Sequence, residues 1–293
     1  MPELPEVETV RRALADRLQG RKIDAATLHR RDVLVMPGDP AGGWSRARQK
    51  PTPKRHRGYD LLAGATVASL RRRGKQLAWV ADSERALLFH LGMSGRLLWL
   101  PPGARCQSVH VHAVWRIAGG GRVVFIDPRR FGGLWALLSL ESLEARWSVL
   151  GPDARSITPA ALSAALSSSS RPIKAALLDQ AVIAGLGNIY ADEALFEARL
   201  HPGTPCTRLS SAQIATLAEA IRGVLEAGLD AKGSTLRDYA TIDGGAGGYQ
   251  AFHRVYGRAG APCVRCGGRL STSVIAQRTT VWCDACQPKA EKL

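Results

Sequence analysis

Two cysteine pairs near the end of the chain, Cys263-x2-Cys266 and Cys283-x2-Cys286, constrain its fold more than any other feature. Sixteen residues separate the pairs. Two such knuckles bring four soft thiolates onto one tetrahedral Zn²⁺, a cluster that folds a short segment without a large core. Paired disulfides are the alternative. The N-terminus is acidic and helical with no apolar leader, so the expected compartment is the reducing cytoplasm, which argues against them. Between the pairs, Arg269 to Trp282 has two alternating apolar arms, which predicts a β-hairpin displayed by the metal. Gln277-Arg278-Thr279-Thr280 falls in its middle and puts an arginine on a rigid tip. Cys106 and Cys206 lack partners at ligand spacing and read as ordinary buried thiols.

Such a finger needs a larger body. Val7, Val10, Leu14 and Leu18 recur at helical spacing, predicting a helix over 4–18 that ends near Gly20. Short apolar, β-rich runs follow over 21–36, 64–100, 109–117 and 122–126, with turn signals between them, as in a β-sandwich or barrel. Residues 37–60 are rich in Pro, Gly, Arg and Lys and read as a loop or insertion. From about 153 the pattern becomes helical: 158–166, 173–180, 189–200 and 212–228, with a flexible serine joint at 167–170. A glycine-rich stretch, 243–248, precedes the cysteines.

Charge narrows the partner. Lys and Arg number 40 against 25 Asp and Glu, a formal net charge of +15. That excess suits a polyanion better than a small neutral substrate. No apolar run approaches the ~18 residues of a membrane span, so no membrane association is expected.

Removal of Met1 would leave Pro2 with a free secondary amine, whose α-amino class titrates near pH ~8. Such an amine can attack a sugar C1′ and form an iminium, by the logic of a Schiff-base lysine. Glu3 beside it is placed for acid–base work. The plainer reading is a proline at a helix start with acids in the first turn. Lys75 is either one more surface cation or an interior phosphate or acid ligand. His90-Leu91-Gly92-Met93-Ser94-Gly95 and Asp127-Pro128-Arg129-Arg130-Phe131-Gly132 form glycine-flanked turns at strand ends. Their Met93 and Phe131 are core residues or, at exposed tips with Arg129, a wedge that kinks a duplex. Asn188, after Gly185-Leu186-Gly187, is a helix cap or part of a phosphate site.

Taken in order, these motifs resemble the bacterial formamidopyrimidine-DNA glycosylase family, also called 8-oxoguanine DNA glycosylase/AP lyase. The resemblance runs from Pro2-Glu3-Leu4-Pro5-Glu6 through both glycine-flanked turns, Gly187-Asn188-Ile189-Tyr190 and Val255-Tyr256-Gly257-Arg258 to the four cysteines and Gln277-Arg278. It implies an α+β multidomain fold. Residues 1–150 would form a β-sandwich catalytic domain with the N-terminal helix. Residues 151–258 would form a helix–two-turn–helix domain with a lesion-recognition loop at about 237–250, and 259–293 a β-hairpin zinc finger.

The resemblance also implies a monomer that excises oxidised purines from damaged double-stranded DNA through a Pro2 Schiff base and β,δ-elimination. Glu3 would be the proton donor, Lys75 the residue of β-elimination and Arg278 that of δ-elimination. His90, His110, Arg129, Lys174 and Asn188 would contact DNA, with Met93, Arg129 and Phe131 filling the gap left by the everted nucleotide. Glu193 and Tyr249 would lie near the lesion. One structural Zn²⁺ on Cys263, Cys266, Cys283 and Cys286 would be the cofactor. Two departures stand out: the stretch at 37–60 is longer than usual, and a basic residue expected before Ile173 falls at Ser170, with Arg171 nearby. The alternatives are an endonuclease VIII-like enzyme for oxidised pyrimidines and a catalytically silent zinc-ribbon DNA-binding protein.

Overall fold

A computed structural model describes residues 2–35 and 61–289. The expected insertion at 37–60 therefore lies outside the described residues. The chain divides into two compact units, 1–148 with 232–247, and 149–231 with 248–293.

The first unit opens with helix α1 (Leu4–Leu18), started by a reciprocal capping box between Glu3 and Glu6. Two sheets follow. One has the order β1 (Ile23–Leu28), β7 (Val111–Ile117), β8 (Arg122–Ile126), β6 (Arg96–Leu100). The other runs β2 (Leu34–Val35), β9 (Gly133–Leu137), β5 (Ala86–His90), β4 (Gln76–Ala81), β3 (Val67–Arg73). All pairs are antiparallel except β2 with β9. The sheets share one apolar core, as the predicted sandwich requires. Trp79 lies 4.7 Å from Phe89 and 5.0 Å from Trp115, ring centre to ring centre. Val7, Val10, Leu14 and Leu18 enter that same core, so α1 is fastened by its apolar stripe against β3 and β4.

A short helix, α2 (Leu140–Trp147), was not anticipated from the sequence. Ser139 caps it, and Trp147 Nε1 donates to Gln76 Oε1 at 3.0 Å.

The second unit holds α3 (Pro159–Leu166), α4 (Ile173–Leu178), α5 (Asn188–Glu197), α6 (Ser211–Asp230) and the hairpin β10 (Ser271–Ile275)–β11 (Arg278–Trp282). Gly228 interrupts α6 at a cost in helix propensity. Its reason is tertiary: a Cβ there would sit 2.6 Å from the Tyr190 hydroxyl. The hairpin is continuous with the helices, because Phe196 of α5 shares a core with Val255, Leu270 and Val281.

One boundary differs from expectation. Residues 232–247, placed with the helical domain from sequence, belong to the first unit. Tyr239 and Ile242 enter the sandwich core, and Trp99 N donates to Ile242 O at 2.7 Å. Two buried apolar side chains and a main-chain bond outweigh sequence proximity to α6. The zinc-finger residues share a compact unit with the helices.

Candidate active site and nucleic-acid surface

In the first unit, α1 runs antiparallel beside β3. Arg11 Nη1 donates to Leu70 O, and Glu8 pairs with Arg72 at 3.0 Å. Moving toward the start of α1 at ~1.5 Å per residue therefore matches moving forward along β3 at ~3.3 Å per residue. That directs Pro2 and Glu3 toward the β3–β4 turn, Gly74–Lys75. Pro2 and Glu3 are both buried, so the chain start is packed into the fold. Glu6 contributes to this: its Oε2 accepts from Glu3 N and its Oε1 from Ser234 N, both at 2.8 Å.

Lys75 is buried, which disposes of the surface-cation reading. Its neighbour on the sheet is His90, since Gln76 pairs with His90 and His90 with Gly133. Burial, and then the nearby Lys75 charge, push the His90 imidazole down to about 3. His90 is consequently neutral at physiological pH. Its Nδ1 accepts from Gly92 N at 3.1 Å, which leaves Nε2 as the N–H donor.

The same sheet end carries the two glycine-flanked turns. Met93 is exposed at its tip, 38% accessible, and Arg129 is also exposed. Phe131 is half-buried, with the Arg129 guanidinium 4.9 Å from its ring centre. These placements fit the wedge reading better than the core reading. The turns are locked by Asp127, a fully buried acid. Its Oδ1 accepts from Ser94 Oγ at 2.6 Å and its Oδ2 from Gly132 N at 2.7 Å. Ser94 Oγ in turn accepts from Arg129 N at 3.1 Å, and Asp127 O from His112 Nε2 at 2.7 Å. Gly92 is required here, because a Cβ would collide with the Phe131 backbone. His110 is exposed just before β7, its carbonyl accepting from Asp127 N. Asp127, Ser94 and Glu6 were not singled out from sequence. Their only signal was membership of the motifs they hold together.

In the second unit three of the expected site residues are buried. Lys174 was expected at a DNA phosphate, but its side chain is 0% accessible and pairs with Asp192 at 2.6 Å. It faces the hairpin, donating to Thr279 O and Thr280 Oγ1. Glu193 was expected near the lesion. It is buried, and it accepts from the backbone N–H groups of Arg254, Val255 and Tyr256 at 2.8–3.1 Å. Burial pushes its carboxyl above the usual range while those three amides pull the other way. These bonds anchor the backbone of 254–256, the segment that leads into the cysteines. Tyr249 is 3% accessible and stacks on Tyr190 at 5.1 Å. Asn188 is the first residue of α5, behind a Gly187 cap. Its Nδ2 donates to Thr279 O at 3.0 Å, and its Oδ1 has no partner among the described residues.

The cysteine reading holds. The four Sγ atoms lie within 4.8 Å of one another, with Cys266–Cys283 at 3.4 Å and Cys263–Cys286 at 4.0 Å. Thiolates at ~2.3 Å from a tetrahedral Zn²⁺ stand close to these separations, so the donor set fits one structural Zn²⁺. The hairpin turn is two residues, Ala276 and Gln277, both left-handed at φ 49° and 58°. Arg278 is therefore the first residue of β11, opposite Ile275, and is exposed. No helix among the described residues is long and apolar enough to cross a membrane.

Comparison with known proteins covers the whole chain. Residues 1–134 match the formamidopyrimidine-DNA glycosylase N-terminal domain, 150–240 its H2TH domain, and 260–289 the zinc finger found in FPG and IleRS. The formamidopyrimidine-DNA glycosylase of Chloroflexus aurantiacus is 43% identical over 289 residues, 98% of each chain. That of Cereibacter sphaeroides is 42% identical over 300 residues, covering 98% of this chain and all of its own. The crystal structure of MutM (FPG) from Thermus thermophilus superposes with a TM-score of 0.81 at 35% identity, over 99% of this chain and 100% of that one. A Lactococcus lactis FPG mutant in complex with Fapy-dG-containing DNA gives a TM-score of 0.83 at 30% identity, over 98% and 100%. Family models over three successive segments and relatives above 40% identity leave one assignment: the chain belongs to the formamidopyrimidine-DNA glycosylase family.

Proposed function

We propose that this protein is a bifunctional DNA glycosylase and AP lyase that removes oxidised purines from duplex DNA, working as a monomer in the cytoplasm. The observation that carries the reading is the buried Pro2–Glu3 start, directed at the turn of a buried Lys75, in a chain that matches the family end to end.

The target base is unreachable inside a duplex, so the nucleotide is extruded, at a few kcal/mol of unstacking. Met93, Arg129 and Phe131 offset that cost by filling the void. The Pro2 amine, freed by loss of Met1, attacks C1′. The C1′–N bond breaks, and the base leaves with the bonding pair and takes up the proton that the attacking amine sheds. Glu3 protonates the sugar oxygen as the ring opens to an iminium. The iminium acidifies C2′, whose proton is lost as the C3′–O bond breaks; Lys75 is the residue assigned to this step. In the second elimination the C4′ proton is lost, the C5′–O bond breaks, and both flanking strands end in phosphate. Arg278 is assigned to that step. His90, His110, Arg129 and Asn188 contribute DNA contacts, and the stretch at 237–250 is assigned to lesion recognition. The zinc takes no part in the chemistry, since four protein thiolates leave no open coordination position.

Borohydride trapping on duplexes containing 8-oxoguanine tests the reading. A covalent adduct through the N-terminus of mature protein is expected, and its absence would overturn the lyase assignment. A stronger adduct on thymine glycol than on 8-oxoguanine would move the substrate to oxidised pyrimidines.

A further inference from the structure

Arg278 sits at the far end of β11 from the metal. Cys283 lies five positions further along the chain, a lever of roughly 17 Å at strand rise. A small rotation about the zinc knuckles would displace its guanidinium by more than an elimination step tolerates. Zinc alone therefore does not set its position.

The second unit holds a separate fastening at that end. Lys174 Nζ donates to Thr280 Oγ1 at 2.8 Å and to Thr279 O at 3.0 Å. Thr280, itself fully buried, passes the contact on: its Oγ1 donates to Arg278 O at 3.1 Å. Asn188 Nδ2 adds a second donor to Thr279 O. Behind Lys174 stands Asp192, whose Oδ1 pairs with the ammonium and whose Oδ2 accepts from Val281 N at 3.3 Å. Side chains from α4 and α5 thus grip three consecutive hairpin residues, Thr279 to Val281, and Thr280 carries the grip to the Arg278 carbonyl. A buried ion pair is poor evidence of stabilisation, because desolvation offsets its attraction. Its attested use is to specify one geometry, and here the geometry specified is that of the Arg278 backbone.

We infer that Lys174, Asp192 and Thr280 are positioning residues for the second elimination, holding Arg278 in register independently of the zinc. The inference rests on the role assigned to Arg278 above. Without the grip, the first elimination proceeds and the second fails, leaving the unsaturated aldehyde on the upstream strand instead of a 3′-phosphate.

The experiment measures the ratio of second- to first-elimination products on an abasic duplex, with zinc content and borohydride trapping yield in parallel. Thr280→Val removes the hydroxyl and little else. Lys174→Met with Asp192→Leu removes both charges together, so neither is left buried and unpaired. Both proteins should keep one zinc and trap within about twofold of wild type, while the product ratio falls about tenfold or more. Thr280→Ser, which keeps the hydroxyl, should restore the ratio. A general loss of fold would instead lower zinc content and trapping together, and that result would overturn a positioning role. An unchanged ratio in both variants, alongside a collapsed ratio in Arg278→Ala, would overturn the grip alone. An unchanged ratio in Arg278→Ala would overturn the assignment of Arg278 itself.

Discussion

Glu6 joins the two ends of the first unit's chain: one carboxylate oxygen accepts from Glu3 N and the other from Ser234 N, 228 residues away, both at 2.8 Å. The Pro2–Glu3 start and the segment leading into the stretch at 237–250 therefore share one buried acid. Gly233 is what lets them approach, because a Cβ there would come within 2.8 Å of Glu6 Cγ. Glu6→Ala strands two buried N–H donors, at about 1–3 kcal/mol each. The expected result is a lower Tm and slower excision of 8-oxoguanine. Single-turnover rates on a pre-formed abasic site, compared with those on the intact lesion, would show whether base removal is the step that suffers.

Stability should depend on pH through Glu8. Burial by itself would raise its carboxyl, but Arg11, Arg12 and Arg72 surround it and hold it down to about 2, from an ordinary 4.5. A folded-state value below the unfolded one means that its contribution is complete above about pH 4.5 and is lost as pH falls toward about 2. Glu8→Gln should cost on the order of 2 kcal/mol at pH 7. That gap should close as the pH is lowered through this window, as read by denaturant melts at several pH values.

Salt dependence should separate the two kinds of DNA contact proposed for Arg129 and His90. Arg129 carries a full charge, so Arg129→Ala should reduce the slope of log K against log salt by about 0.9. His90 is neutral, so His90→Ala should weaken binding with the slope unchanged. Binding isotherms at four or five salt concentrations would suffice. A reduced slope for His90→Ala would mean that the imidazole is protonated on DNA.

Gly228→Ala ought to destabilise the second unit in spite of alanine's better helix propensity. The new methyl would lie 2.6 Å from the Tyr190 hydroxyl, and overpacking of this kind costs about 1–3 kcal/mol. A Tm equal to or above wild type would show that Tyr190 moves aside without loss.

Chelation of zinc should release the hairpin and spare the sandwich, since the four thiolates and the core of Phe196, Val255, Leu270 and Val281 are confined to the second unit. Hydrogen exchange should show lost protection over 263–286 with 67–137 unchanged. Uniform loss across both regions would contradict this.

Much of the protein was determined by its sequence alone, because the signals concerned are local or strictly periodic. Cysteine spacing specified a tetrahedral site, the 3.6-residue stripe of Val7, Val10, Leu14 and Leu18 specified α1, and alternation specified the strands. The motif order identified the family. Tertiary structure decided what each polar side chain faces. Lys174 and Asp192 stand 18 residues apart on different helices, and no spacing rule pairs them; only the packing of α4 and α5 against β11 brings them together as a buried ion pair. Glu193 likewise became a receptor for three amides because α5 is buried along most of its length. Residues 232–247 joined the sandwich because Tyr239 and Ile242 found apolar partners there. The cysteines were legible from spacing because one ion satisfies them all. The single carboxylates and ammonium groups were not, because their energy depends on which dipoles the fold brings within 3 Å.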